Sequence, residues 1–89
     1  MVNSGLWLSY ILFSCPYDLS INDKLFATYL TYLPSDNGRI KLTNEVKEII
    51  SKESGLSPKE VISSYNKLLT IEAISLSLVD SDSIVLEVM

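Results

Sequence analysis

Apolar residues follow three patterns along this 89-residue chain, and each pattern predicts a different kind of element. Residues 6–13 are almost continuously apolar. Between residue 20 and about residue 70 the apolar positions lie three and four apart, which indicates amphipathic helices, except at residues 39–42, where polar and apolar residues alternate. From Ile74 onward the spacing is two, which is typical of strands with one buried face. The predicted order is therefore strand, helix, strand, helix, helix and hairpin.

The N-terminal segment 6–13 (LWLSYILF) predicts an extended strand or a short buried segment. It is too short to span a bilayer and lacks the basic residues that precede a secretory signal, so we expect no membrane partner and a cytoplasmic protein. Because the segment is apolar on both faces, we expect a second subunit to cover it. Trp7 fits a core position and an interface anchor equally well. The candidate interface residues of this segment are Leu6, Trp7, Tyr10 and Ile11.

The first predicted helix begins at Ser20, which can cap it together with Asp23 three residues later. Pro34 is expected to end this helix, because proline cannot continue the hydrogen-bond pattern. Its predicted apolar stripe consists of Ile21, Leu25, Tyr29 and Tyr32, widened by Phe26, Leu30 and Leu33.

The next two predicted helices are joined by a short connection. Thr43 caps the second helix, which ends near Gly55, where glycine can adopt a left-handed conformation. Ser57 and Glu60 predict a capping box at the start of the third helix, with a favoured proline between them. A small residue at Ser64 allows close helix packing. The predicted buried positions are Val46, Ile49 and Ile50 in the second helix and Val61, Tyr65 and Leu68 in the third.

Two strand regions flank this helix pair. Residues 39–42 alternate polar and apolar, and they follow a turn in which Asn37 and Gly38 suit positive φ angles. A hairpin is predicted at 74–88, with one apolar face that includes Leu78. A helix pair with the spacing of a helix-turn-helix, a strand before it and a hairpin after it together predict an α+β winged helix-turn-helix. This fold has a three-helix core and a small antiparallel sheet.

We expect a single domain over residues 1–89. Within it, residues 1–16 form an apolar N-terminal extension, residues 20–88 form the winged-helix core, and residues 74–88 form the wing hairpin.

Composition argues against catalysis and against a strongly basic surface. The chain contains no histidine, so Ser-His-Asp and Cys-His catalytic sites and histidine metal sites are excluded. Cys15 is the only cysteine and most simply fills a small buried position. We therefore expect a binding protein rather than an enzyme, with no cofactor or metal. The net charge of −4 disfavours DNA binding, although the charge of one face matters more than the total.

Residues 20–88 resemble the winged-helix domains of small plasmid and phage replication or regulatory proteins, including the RepL-type initiators. The resemblance lies in the runs LFATYLTYL, DNGRIKLT and VKEIISKESGLSPKEVISSYNKL, and in the Ala73-Ile74 pair that opens the wing. It implies that the third helix enters the major groove of DNA and that the wing contacts the DNA backbone.

Carried onto this sequence, the resemblance implies a set of DNA contacts. On the recognition helix these are Lys59, Ser63, Asn66 and Lys67. Asn66 can read adenine, the lysines can contact phosphate or guanine, and Ser63 can do either. Further candidate phosphate contacts are Arg39, Lys41, Lys47 and Lys52. This first hypothesis is a homodimer that binds double-stranded DNA in transcription regulation or replication.

The second hypothesis is an acidic winged-helix module that binds a protein, for example to inhibit a host enzyme or a nucleic-acid-binding machine. The recognition helix has no arginine, and Asp80 and Asp82 stand at the wing tip, where basic residues would suit DNA. Lysines and glutamates also alternate along both helices, as on many solvated helix surfaces. On this hypothesis the wing aspartates and the segment 6–13 form the interface.

Overall fold

The computed structural model describes residues 3–36, 38–79 and 82–87, which form an α+β domain. The described helices are α1 (Ser4–Ser9), continued by a π-helical segment (Tyr10–Ser14), α2 (Ile21–Leu30), α3 (Asn44–Ser54) and α4 (Pro58–Thr70). The described strands are β1 (Ser35–Asp36), β2 (Arg39–Lys41), β3 (Ile74–Leu76) and β4 (Ser83–Leu86). The predicted first, second and third helices correspond to α2, α3 and α4.

The N-terminal segment is helical, so the predicted strand at 6–13 is wrong. The side chain of Asn3 accepts hydrogen bonds from the backbone N–H groups of Gly5 and Leu6 and so caps α1. Trp7 is 0% exposed and Ile11 is 1% exposed. The alternative prediction of a short buried segment is therefore correct for these two residues, which pack in the chain's own core.

Helix α2 begins at the predicted Ser20 cap, and the structure shows that Ser20 and Asp23 form a full capping box. The predicted apolar stripe is wrong at its two ends, since Ile21 is 83% exposed and Tyr32 is 73% exposed. The predicted Phe26 and Leu30 are buried, together with Ala27, which was not predicted. The helix ends at Leu30, before Pro34, because the next three N–H groups bond three residues back and tighten the last turn.

Helices α3 and α4 have the predicted caps. Thr43 accepts from the N–H of Val46, and the capping box between Ser57 and Glu60 is complete. Gly55 ends α3 in the left-handed conformation, at φ 80°. The prediction that Ile49 is buried is wrong, because it is 56% exposed. In α4 the buried residues are Val61, Ser64 and Leu68.

The strands form one antiparallel sheet in the order β1-β2-β4-β3. Ile84 of β4 pairs with Ile40 of β2 on one side and with Leu76 of β3 on the other. Gly38 has the predicted positive φ, whereas Asn37 lies outside the described residues. The predicted hairpin is present but shorter than expected. Leu78 follows the end of β3 and is fully exposed, so it does not belong to the apolar face.

One core joins the sheet, α2, α4 and the N-terminal helix. The indole Nε1–H of Trp7 donates to the carbonyl oxygen of Ala73, at 2.8 Å, directly before β3. This buried hydrogen bond connects α1 to the hairpin across 66 residues of sequence. Among the residues that the structure describes, no helix is long and apolar enough to cross a membrane.

Candidate nucleic-acid interface on the fourth helix

Helix α4 presents one polar row to solvent. Val61, Ser64 and Leu68 face the core, so positions halfway round the helix face outward. Lys59, Ser63 and Asn66 lie in this outward row and are all exposed. Lys67 is half-buried at the side of the helix and is not a central member of the row. Three of the four predicted recognition residues therefore share one open surface.

Glu60 is the acidic residue of α4, and its carboxylate is held at the start of the helix. Oε1 accepts from the backbone N–H of Ser57, and Oε2 accepts from the side-chain amide of Asn22, both at 2.8 Å. The hydrogen bond from the Ser57 backbone is the main reason that the pKa of Glu60 is lowered, and the Ser57 and Asn22 side chains add to it. The charge is thus directed toward α2. The capping box was predicted from the sequence, but the Asn22 contact was not.

Lys47 brings a positive charge from α3 to the side of α4. Its Nζ lies 4.5 Å from the centre of the Tyr65 ring, which is a cation–π contact. Tyr65 is half-buried, and burial raises the pKa of its hydroxyl. The sequence predicted Tyr65 as a core residue and Lys47 as a phosphate contact, but nothing in the spacing indicated that they meet.

A groove of about 250 Å³ runs between α3 and α4. Ile62 is one of the residues that line this groove, and its side chain is 53% exposed. It stands on the same side of α4 as the polar residues Lys59 and Asn66. The other residues that line the α3/α4 groove are Asn44, Lys47, Glu48, Ser51, Pro58 and Val61. In the sequence, the sign of this exposed position is an isoleucine that lies outside the predicted buried stripe of the helix.

A second cleft, of about 230 Å³, lies where the sheet meets the start of α3. Lys47, Tyr65 and Asp82 all line it, together with Glu45. The backbone carbonyl of Asp82 accepts from the N–H of Leu42, at 2.7 Å, which fixes this end of the hairpin loop beside α3. The cleft therefore carries charges of both signs.

The remaining predicted phosphate contacts are not gathered on α4. Arg39 and Lys41 flank the buried Ile40 in β2, so their side chains lie on the side of the sheet that faces away from the core. Lys52 is exposed near the end of α3. Of these four residues, Lys47 contacts a residue of α4, namely Tyr65.

The predicted interface residues are divided between core and surface. Because Trp7 and Ile11 are buried in the core, they are not available to a second chain, whereas Leu6 is 69% exposed and Tyr10 is half-buried. Asp82 is exposed, and Asp80 lies outside the described residues.

The sequence did not predict that apolar side chains are exposed at the end of strand β3 and in the residues that follow it. Leu76 is half-exposed, Val79 is 77% exposed, and Leu78 is fully exposed. The three residues are called the hairpin apolar patch below.

Comparison with models of protein families, with curated proteins and with solved structures finds no match to this chain.

Proposed function

We propose that this chain is a winged-helix protein that binds double-stranded DNA through α4. It acts in transcription regulation or replication, in the manner of the small phage and plasmid proteins that its sequence resembles, and it is not an enzyme. The order of elements supports the proposal. Helices α3 and α4 are joined by the short connection 55–57, strand β2 precedes them, and the β3–β4 hairpin follows them.

The observation that carries the proposal is the exposed row of Lys59, Ser63 and Asn66 on α4. An asparagine amide can pair with the N6 and N7 atoms of adenine, and a lysine can contact guanine or phosphate. Glu60 stays charged, but its two hydrogen bonds hold the carboxylate at the helix start, at the edge of the row rather than in its middle. The major groove is wide enough to admit one α-helix, so α4 can bring this row of side chains to the base edges.

Lys47 supports the same proposal from the neighbouring helix. Its contact with Tyr65 holds an ammonium group beside α4, where it can reach a phosphate of the same duplex. The net charge of −4 is distributed over the whole chain, whereas DNA responds to the local charge of the bound face. We also propose that the protein is a cytoplasmic homodimer, because a second copy would supply a second α4 for an adjacent half-site.

The test begins with selection of a bound duplex from a random pool, followed by affinity measurements on variants. Asn66→Ala should weaken binding to the selected duplex by about 1–3 kcal/mol and relax specificity at one position. Lys59→Ala should weaken binding too. Lys24→Ala, a lysine of α2, is the matched control and should retain affinity. If the double variant Lys59→Ala, Asn66→Ala bound every duplex as the unmodified protein does, the proposal would be wrong.

A second function is favoured by the hairpin apolar patch. Exposed leucine and valine side chains next to one another are typical of protein interfaces. On this alternative the hairpin binds a partner protein, and Leu78→Ser should abolish that complex without lowering thermal stability. Reversal of Asp80 and Asp82 to lysine should weaken it. Retention of the complex by both variants would exclude a partner bound through the hairpin.

A further inference from the structure

Ile62 is the one strongly apolar side chain in the outward surface of α4 that contains Lys59, Ser63 and Asn66. It follows Lys59 by three residues and precedes Asn66 by four, so Ile62 neighbours each of these side chains on the helix surface. About half of Ile62 is covered, since it lies at the edge of the α3/α4 groove beside Val61 and Lys47. The other half of the side chain is open to a ligand.

An isoleucine can distinguish the four bases by one property. In the major groove all four bases present hydrogen-bonding atoms, and thymine alone presents a methyl group as well. Placing isoleucine against a polar base edge would leave that edge without its water and without a partner. Placing it against the thymine methyl group buries apolar surface on both sides.

We propose that Ile62 selects thymine in the DNA site by contact with its C5 methyl group. The inference rests on the proposed function and adds a second base contact to it. Asn66 would select adenine, and Ile62 would select thymine at a different position of the site. Four helical residues span about 6 Å. Successive bases on one strand are separated by about 3.4 Å. The thymine and the adenine therefore lie within about two base steps of each other.

The experiment replaces thymine by uracil, which lacks only the methyl group. Starting from the selected duplex, each thymine is replaced singly and the affinity of the full chain is measured by fluorescence anisotropy. One position in each half-site should lose about fourfold in affinity, which corresponds to burial of one methyl group. The other thymine positions should be unaffected.

Two variants assign that effect to a residue. Ile62→Ala should bind the thymine and uracil duplexes equally. Ile49→Ala is the matched control, because Ile49 is also about half-exposed but lies on α3, and it should keep the fourfold preference. Both side chains are partly exposed, so both variants are expected to fold, which circular dichroism verifies.

The outcomes separate this inference from the proposed function. Specific DNA binding with no preference for thymine over uracil, or a preference that survives Ile62→Ala, overturns the role of Ile62 and leaves DNA binding intact. A chain that binds no duplex overturns the proposed function, and this inference with it.

Discussion

The side-chain amide of Asn22, in the first turn of α2, donates to the carboxylate of Glu60, in the first turn of α4, at 2.8 Å. The same carboxylate accepts from the N–H of Ser57 through its other oxygen. One acidic side chain therefore caps its own helix and joins that helix to another. This arrangement keeps the negative charge at the edge of the exposed row on α4.

The lowered pKa of Glu60 predicts a pH dependence of stability. Because its pKa is lower in the folded state than its ordinary value of 4.5, the ionised form stabilises the fold above that pH, and the contribution is lost as the pH falls through the folded-state pKa. Glu60→Gln should therefore be less stable than the unmodified protein at pH 7, and the difference should shrink toward pH 3. Urea unfolding at several pH values measures it. A difference that stayed constant with pH would show that the charge does not contribute.

The burial of Trp7 predicts a large effect on stability. Trp7→Ala should lower the free energy of unfolding by about 3–5 kcal/mol, because it leaves a cavity in the core. Trp7→Phe keeps most of the ring and loses the bond to Ala73, so a loss of about 0.5–1.5 kcal/mol is expected for that bond. Leu6→Ala, at an exposed neighbour, is the control and should change stability by less than about 0.5 kcal/mol. Equal effects of Trp7→Ala and Leu6→Ala would contradict the core position of Trp7.

Two residues with positive φ angles, Gly55 and Glu72, predict opposite effects of substitution on stability. Gly55 has φ 80°, and a Cβ added there would meet no atom within 4 Å, so Gly55→Ala introduces backbone strain and no clash. We expect a loss of about 1–2 kcal/mol in the free energy of unfolding. Glu72 also has a positive φ, of 62°. Glu72→Gly should therefore stabilise the protein, and both changes are measured by chemical denaturation. A destabilised Glu72→Gly variant would contradict the left-handed conformation.

The contact between Lys47 and Tyr65 predicts an effect on DNA affinity. Tyr65→Phe keeps an aromatic face under the ammonium and should bind DNA nearly as the unmodified protein does. Tyr65→Leu should weaken DNA binding by about 0.5–1 kcal/mol. Lys47→Ala should also reduce the slope of log affinity against log salt concentration by about one. If Tyr65→Leu bound as tightly as Tyr65→Phe, the ring would not position Lys47.

The elements with local signals were predicted correctly. The cap at Ser20, the capping box of Ser57 with Glu60 and the left-handed Gly55 follow from interactions within a few residues of sequence. The order of the elements from residue 20 was predicted except for β1, which was not predicted. The segment 6–13 was predicted as a strand or a short buried segment, because it is apolar on both faces and its period is ambiguous. Its helical form depends on the Asn3 cap and on the burial of Trp7 against the distant Ala73.

The candidate site was predicted in part. Three of the predicted recognition residues lie in one exposed row, because helical spacing alone places them there. The contacts of Asn22 with Glu60 and of Lys47 with Tyr65 join different helices, and single-sequence spacing carries no information about such pairs. The exposure of Leu78 was missed because it depends on where β3 ends, and the boundaries of short strands are set by their partners.

The most direct test of DNA binding is fluorescence anisotropy of the full chain with a mixed pool of short labelled duplexes, at low and then at moderate salt. The proposed function predicts binding at low salt that weakens steeply as salt is added, because lysines release counterions from the phosphates. No binding at low salt would contradict it, and the hairpin apolar patch would then direct the search toward a protein partner.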